Sequence, residues 1–187
     1  MKKRVKIGKY KTVFKGQFFT IEQAPAVFPG GRKGIYERAH RTPSVTILAI
    51  NDKKQLLLIR EYRPTQKRYA WLLPGGRMDK PDENATTAAK RELREETKLQ
   101  AKQIKLFYTT GKGHSLDWQQ YFFIATSLKP DQHPLNGDED EDISLEFTPL
   151  KQAYKMALDG EIYHDSLAYA IIKLYAERYK WLDYTKR

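Results

Sequence analysis

The sequence predicts a mixed α/β fold of the α+β kind, and three observations carry that expectation. Short apolar runs bounded by turn residues recur from Phe18 to Phe147, at lengths that suit strands. One helical stretch, about Asn84 to Lys98, interrupts them. Two more, Leu150–Leu158 and Ser166–Tyr179, follow the last strand. Strands with one inserted helix and two trailing helices suit a layered α/β architecture. At 187 residues, 40% of them hydrophobic, the chain suffices for one domain with its own core.

In order along the chain, Phe18–Val27 reads as extended, Pro29-Gly30-Gly31 as a turn, and Gly34–Ala39 as the returning strand. Val45–Ile50 and Gln55–Tyr62 flank the polar Asn51-Asp52-Lys53-Lys54 and are expected to pair as a hairpin. Trp71–Leu73 runs into Pro74-Gly75-Gly76. Strands are expected near Ile104–Thr109, Gln119–Ala125 and Ile143–Phe147, with a polar loop over Asp131–Asp142. In the last helix Leu167, Ile171, Leu174 and Tyr175 share a face, with Asp165 as N-cap. Trp71 and Trp118, in or beside strands, read as core residues.

Composition narrows function by exclusion. With no cysteine there is no disulfide, thiolate metal site or cysteine nucleophile. The longest apolar runs are strand-sized, so no membrane partner is expected. No apolar segment follows Lys2, Lys3 and Arg4, so no secretory signal is expected and the cytoplasm is the default location. The net charge of +11 attracts polyanions in general, from nucleic acid to small phosphorylated substrates. Acidic residues nevertheless concentrate around Asp79–Glu96 and Asp138–Glu146.

The first concentration carries the chemistry. At about 100° per residue, Glu95 and Glu96 flank Glu92 within about 60° on a helical wheel. Ala85, Ala88 and Ala89 share that side, Leu93 lies at its edge, and Lys90 and Arg94 lie opposite. Three acids thus extend an inward-looking stripe of small residues, where repulsion and desolvation demand a neutralising partner. Hard divalent cations take such oxygen ligands and bridge them to phosphates. Arg91, four residues before Glu95, is placed to pair with it. The competing reading is a surface helix laced with salt bridges, which the glycine turn just upstream disfavours.

Gly76, Glu83 and Arg91-Glu92-Leu93-Arg94-Glu95-Glu96, with Leu99 beyond, resemble the Nudix box, G-x5-E-x7-R-E-U-x-E-E-x-G-U. Two positions depart from it. Six residues separate Gly76 from Glu83, and Lys98 stands where the box has its second glycine, so the helix is expected to end without a left-handed cap. The resemblance implies a Nudix-type α/β/α sandwich with a mixed central sheet and an extended N-terminal β segment. The whole of 1–187 would be one domain, with about 1–40 as that segment and 41–187 as the core. It implies Mg²⁺, with Mn²⁺ as a substitute, held by Glu92 and Glu96 with the Gly75 carbonyl. Glu95 would assist, Arg91 would orient the cluster, and Glu83 would support it.

Arg60-Glu61-Tyr62-Arg63 resembles the Arg-Gln-Tyr-Arg element of the ADP-ribose and nucleotide-sugar pyrophosphatase branch. That likeness implies substrate contacts from Arg60, Glu61 and Arg63, with Arg63 foremost as a phosphate clamp. The run Gly137–Ile143 resembles the same branch's acidic loop, and implies a general base at Glu139 or Glu141, which the sequence does not separate. Thr109-Thr110-Gly111-Lys112-Gly113-His114 lacks the Ser-Pro-Gly element of the ADP-ribose subfamily, leaving the sugar open. Lys112 and His114 read as solvated loop residues. The expected activity is hydrolysis of a nucleoside diphosphate sugar, with a small nucleotide substrate as partner. The competing activities are hydrolysis of nucleoside triphosphates, dinucleoside polyphosphates or capped RNA, and silent binding of nucleic acid or a nucleotide ligand, which is disfavoured because the carboxylates are all kept. The N-terminal segment resembles one that exchanges between subunits, implying a homodimer.

Overall fold

The computed structural model describes residues 4–80, 82–111, 115–133 and 143–182. The strands are β1 (Lys6–Ile7), β2 (Lys11–Lys15), β3 (Phe19–Val27), β4 (Lys33–Arg41), β5 (Ser44–Ala49), β6 (Gln55–Arg63) and β7 (Arg68–Leu72). Helix α1 (Ala85–Thr97) precedes β8 (Leu99–Thr110), β9 (Leu116–Asp117), β10 (Gln120–Pro130) and β11 (Ile143–Pro149). Helices α2 (Leu150–Leu158), α3 (Asp165–Ala176) and α4 (Arg178–Trp181) follow. The chain divides into two compact units, Met1–Ser44 with Thr109–Gln120, and Val45–Tyr108 with Tyr121–Arg187.

In the first unit, β3 and β4 form the expected antiparallel pair, from Phe19 opposite Arg41 to Val27 opposite Lys33. Gly30 and Gly31 turn the chain at φ 90° and 88°, a region few side chains tolerate. β1 and β2 add to β3, and β9 pairs in parallel with β4. The sequence hid β1 and β2 because lysines at 6, 11 and 15 break their apolar pattern. Glu22 on β3 ties that strand to β4 electrostatically: its Oε2 accepts from Arg38 Nε and bonds His40 Nε2, each at 2.8 Å. Those bonds, Arg38's first, hold the Glu22 carboxyl below its usual range.

The second unit holds two three-stranded sheets, ordered β5-β10-β8 and β11-β6-β7. The expected β5–β6 hairpin is not formed. The turn closes, with Lys54 N donating to Asn51 O at 3.0 Å, but Ile50 opposite Leu56 is an isolated bridge. The reason is burial. Every residue of β5 and the run Leu56–Ile59 are buried, and each strand is paired within its own sheet, β5 with β10 and β6 with β11 and β7. β6 lies between β11 and β7, with Ile143 opposite Glu61 and Trp71 opposite Arg60.

Two apolar clusters set the layers. Val45, Ile47 and Ala49 of β5 pack with Ala88, Ala89 and Leu93 of α1. Leu48 and Ile50, on the alternate side, pack with Leu150, Ala153 and Met156 of α2 and Ala170, Ile171 and Leu174 of α3. Helix-on-sheet-on-helix layering within this unit matches the expected sandwich. Each such large side chain contributes about 1.5–3 kcal/mol by burial. Trp71 is partly buried against the second cluster, as expected of a core residue.

The last helix differs in detail. Its N-cap is His164, not Asp165: Nδ1 of His164 accepts from Ser166 N at 3.3 Å. Asp165 occupies the first turn instead, where the helix dipole favours an acid. Regular α3 ends at Ala176, and the single turn of α4 carries Trp181 edge-on to Phe107 at 5.3 Å.

Candidate active site

Helix α1 begins where Asn84 Oδ1 accepts from Thr87 N at 2.9 Å, an Asx cap of the usual kind. It ends on Lys98 at φ 56°, ψ 26°, whose N–H donates to Arg94 O. The left-handed cap expected to be missing is therefore present, built on lysine instead of glycine. The strain is tolerated because Leu99 must turn straight into β8, and Lys98 Nζ donates to Glu95 O at 2.9 Å.

The wheel is correct about faces. Ala88, Ala89, Glu92, Leu93 and Thr97 are the buried residues of α1, and Lys90 is exposed. Arg94, on the far side, donates through Nε to Asp131 at 2.6 Å. The Asp131 side chain is wholly buried and also accepts from Gln100 and from His133 N. These bonds, Arg94's first, keep its carboxyl ionised below the usual range.

Arg91 is the hub of the acidic face. Its Nε and Nη2 grip both oxygens of Glu83 at 2.9 Å, a bidentate fork. Its Nη1 donates to Glu92 Oε1 and Glu95 Oε2, each at 2.7 Å, and Nη2 reaches Arg77 O at 3.1 Å. Lys80 Nζ stands 3.5 Å from the other oxygen of Glu95. The Glu83 bonds hold the guanidinium proton still more firmly and draw the Glu83 carboxyl down. Glu92 moves the other way: burial pushes it up to about 7, although Arg91 opposes that.

The glycine turn packs beneath. Val45 N donates to Gly76 O and Ile47 N to Pro74 O, which ties the turn to β5. Gly75 N donates to Glu96 Oε2 at 2.8 Å. A Cβ on Gly75 would lie 2.2 Å from Val45 O, and one on Gly76 would lie 2.5 Å from the Glu92 carboxylate. Neither position admits a side chain without movement. The sequence-predicted Gly75, Arg91, Glu92, Glu95 and Glu96 are thus brought into one loop–helix unit.

The β6 residues fall into two groups. Strand alternation separates Arg60 from Glu61 and Arg63. Arg60 lies over Tyr69 and Trp71, at 5.4 and 5.7 Å from the ring centres. Arg63 Nη2 pairs with Glu61 Oε2 at 2.9 Å, and its guanidinium lies 4.9 Å from the Tyr163 ring centre. Glu139, Glu141, Lys112 and His114 lie outside the described residues. The described flanks of the acidic stretch are Asp131–His133, bonded to Arg94, and Ile143, paired with Glu61.

Sequence reasoning missed three contributors. Lys80 and Asp131 sit in segments without periodicity, and Tyr163 lies between two helices; nothing in spacing marks any of them.

The donor set fits a hard divalent cation. Glu92 is a buried carboxylate whose Oε2 accepts no hydrogen bond among the described residues, and no hydrogen bond there reaches the Gly75 carbonyl. Among the described residues no three carboxylate or imidazole side chains already converge in metal-holding positions. Arg91 supplies the positive charge instead, drawing Glu92 and Glu95 to its own Nη1.

The model of the NUDIX domain family matches residues 40–168. The chain belongs to the Nudix family. Nudix hydrolases generally use divalent metals, in keeping with the donor set above. The ADP-ribose pyrophosphatase of Mycobacterium tuberculosis is 29% identical over 168 residues, which span 89% of this chain and 81% of that protein. The ADP compounds hydrolase NudE of Escherichia coli is 32% identical over 154 residues, 81% of each. A crystal structure of an ADP compounds hydrolase superposes with a TM-score of 0.80 at 28% identity, covering 95% of both chains. No helix among the described residues is long and apolar enough to cross a membrane.

Proposed function

We propose that this Nudix hydrolase cleaves the pyrophosphate link of a nucleoside diphosphate sugar, ADP-ribose, GDP-mannose or a relative. Water adds to one phosphorus and the P–O–P bond breaks, giving nucleoside monophosphate and sugar phosphate. The observation that carries this reading is the Arg91 hub, which gathers Glu83, Glu92 and Glu95 beside the Gly75-Gly76 turn. The relatives named as ADP-ribose pyrophosphatase and ADP compounds hydrolase support the substrate class.

The metal is Mg²⁺, replaceable by Mn²⁺, and Glu92, Glu96 and the Gly75 carbonyl would hold it. When bound it polarises the pyrophosphate oxygens and makes water a better nucleophile at neutral pH. Arg91 orients Glu92 and Glu95, with Glu83 as its anchor. Glu139 or Glu141 takes the proton from the attacking water. Arg63 binds a phosphate oxygen, Glu61 supports it, and Arg60 contacts the substrate's periphery. A second copy of the chain completes the enzyme. The sheet of the first unit exposes Val13, Phe14 and Ile35, each more than half accessible, as an association surface requires. A monomeric mass by light scattering at micromolar concentration would sink the dimer.

The activity is tested with ADP-ribose, GDP-mannose and UDP-glucose, measuring phosphate released by alkaline phosphatase once the link is cut. ATP and a diadenosine polyphosphate are followed by product chromatography. Turnover of a sugar nucleotide, lost on Glu96→Gln, is the expected result. Silence on every sugar with turnover of ATP or the dinucleotide would replace the proposed substrate class.

A further inference from the structure

Arg63 is held in a way the fold does not need. Its Nη2 is fixed by Glu61, its guanidinium lies over Tyr163, and its Nε is sealed from solvent with no hydrogen-bond partner among the described residues. A buried N–H left unpaired costs free energy, and proteins keep such groups where the geometry serves a purpose. Arg60, two positions before the strand's last residue but one, shows the alternative: an exposed arginine resting loosely on aromatic rings.

The ring that constrains Arg63 is itself fixed. Tyr163 N donates to Trp71 O at 2.9 Å, and Ile162 bridges Trp71. The next residue, His164, caps α3. Tyr163 is therefore pinned between β7 and a helix start, and it packs against the core. Glu61, the other constraint, lies opposite Ile143, the first described residue after the acidic stretch.

Resting on the proposed hydrolysis of a nucleoside diphosphate sugar, we propose that Tyr163 is a positioning residue: its ring and Glu61 hold the Arg63 guanidinium so that the terminal edge faces a phosphate oxygen of the bound diphosphate. Arg63 touches the substrate and Tyr163 acts through it. The ring's negative face and the Glu61 carboxylate fix the fork from two directions, so little side-chain freedom is lost when the diphosphate binds. The phenol hydroxyl has no part in this, and phenylalanine should serve as well as tyrosine.

The test uses Tyr163→Met, which keeps apolar volume and removes the ring, with Tyr163→Phe, Arg63→Gln and the Tyr163→Met/Arg63→Gln double variant. For the sugar nucleotide the enzyme turns over, Tyr163→Met should raise KM about fivefold with kcat within about twofold, an effect of the size of one cation–π contact. Tyr163→Phe should restore KM. In the Arg63→Gln background, Tyr163→Met should add nothing, because the two act as one unit. A fall in kcat with KM unchanged, or an equal effect of Tyr163→Met with and without Arg63, overturns the proposal. If Tyr163→Met does not fold, an unchanged KM in Arg63→Gln overturns it alone, and a raised KM with Tyr163→Phe near wild type supports it. Should the wild type cleave no sugar nucleotide, the hydrolase reading falls on its own. The positioning role is then read from ADP affinity by calorimetry, where a Kd raised about fivefold in Tyr163→Met but not in Tyr163→Phe supports it, and equal affinities overturn it.

Discussion

The carboxylate of Glu92 occupies the space where a side chain on residue 76 would begin, 2.5 Å from the position of a Cβ on Gly76. Gly76→Ala should therefore push Glu92 off Arg91 Nη1 without disturbing the core beneath α1. Displacements of about 1 Å at such a site cost on the order of a hundredfold in rate. We expect kcat to fall by about that factor, and Mg²⁺ titration to show weakened binding. Wild-type turnover in Gly76→Ala would mean that Glu92 does no work at this position.

Arg91 neutralises three glutamates with a side chain that is 12% exposed. Arg91→Ala leaves those acids facing one another, and breaking a buried pair costs about 3–5 kcal/mol. Thermal melting should drop by roughly 10 °C. Millimolar Mg²⁺ should raise Tm more in the variant than in wild type, because the cation replaces the missing charge. Equal Mg²⁺ effects in the two proteins would contradict this.

The pH dependence of the metal-free protein has a definite sign. Glu92 is pushed up to about 7 in the folded chain from an ordinary 4.5, so between those values the folded state binds the extra proton. Its contribution to stability is present below about 4.5 and is lost as pH rises through about 7. Glu92→Gln removes that loss. In EDTA the variant should gain on wild type between pH 5 and pH 8 (by about 3 kcal/mol at most), read from urea melts at both pH values. A constant difference across the range would refute it.

Lys98 sits in the left-handed region at φ 56°, which costs an L-residue roughly 1 kcal/mol. Lys98→Gly relieves this but loses the bond from Nζ to Glu95 O. A net gain of about 0.5 kcal/mol, or one to two degrees in Tm, is expected with activity unchanged. Destabilisation would show that the lysine bond outweighs the strain.

The site was legible where one helix carries it. The spacing of Glu92, Glu95 and Glu96 fixes their common face, and Arg91 falls beside them by the same arithmetic. The contacts that cross the chain were not legible. Nothing local marks Asp131 as the buried acceptor for Arg94 and Gln100, or sets Tyr163 against Arg63. The fold shows the same division. α2 was read to the residue, since a helix declares itself within its own span. The hairpin of β5 and β6 failed because adjacency in sequence and a turn between two runs do not reveal that the two strands belong to different sheets, β5 beside β10 and β6 between β11 and β7. β1 and β2 failed because a strand held at one edge needs no apolar period.

The separation of β5 from β6 also shapes how the chain can fold. β6 finds one neighbour at once in β7, but its other waits for Ile143–Pro149, and β5 waits for β10. Closing such long loops before their contacts form slows the search. As the chain leaves the ribosome, Val45–Ile50 and Leu56–Ile59 emerge sticky and incompletely paired long before their partners. A chain truncated before β10 holds the whole of α1 and the β5 residues it packs on. It lacks Phe123 and Ala125, which complete that cluster, so the acidic helix has no finished seat until the C-terminal third has arrived.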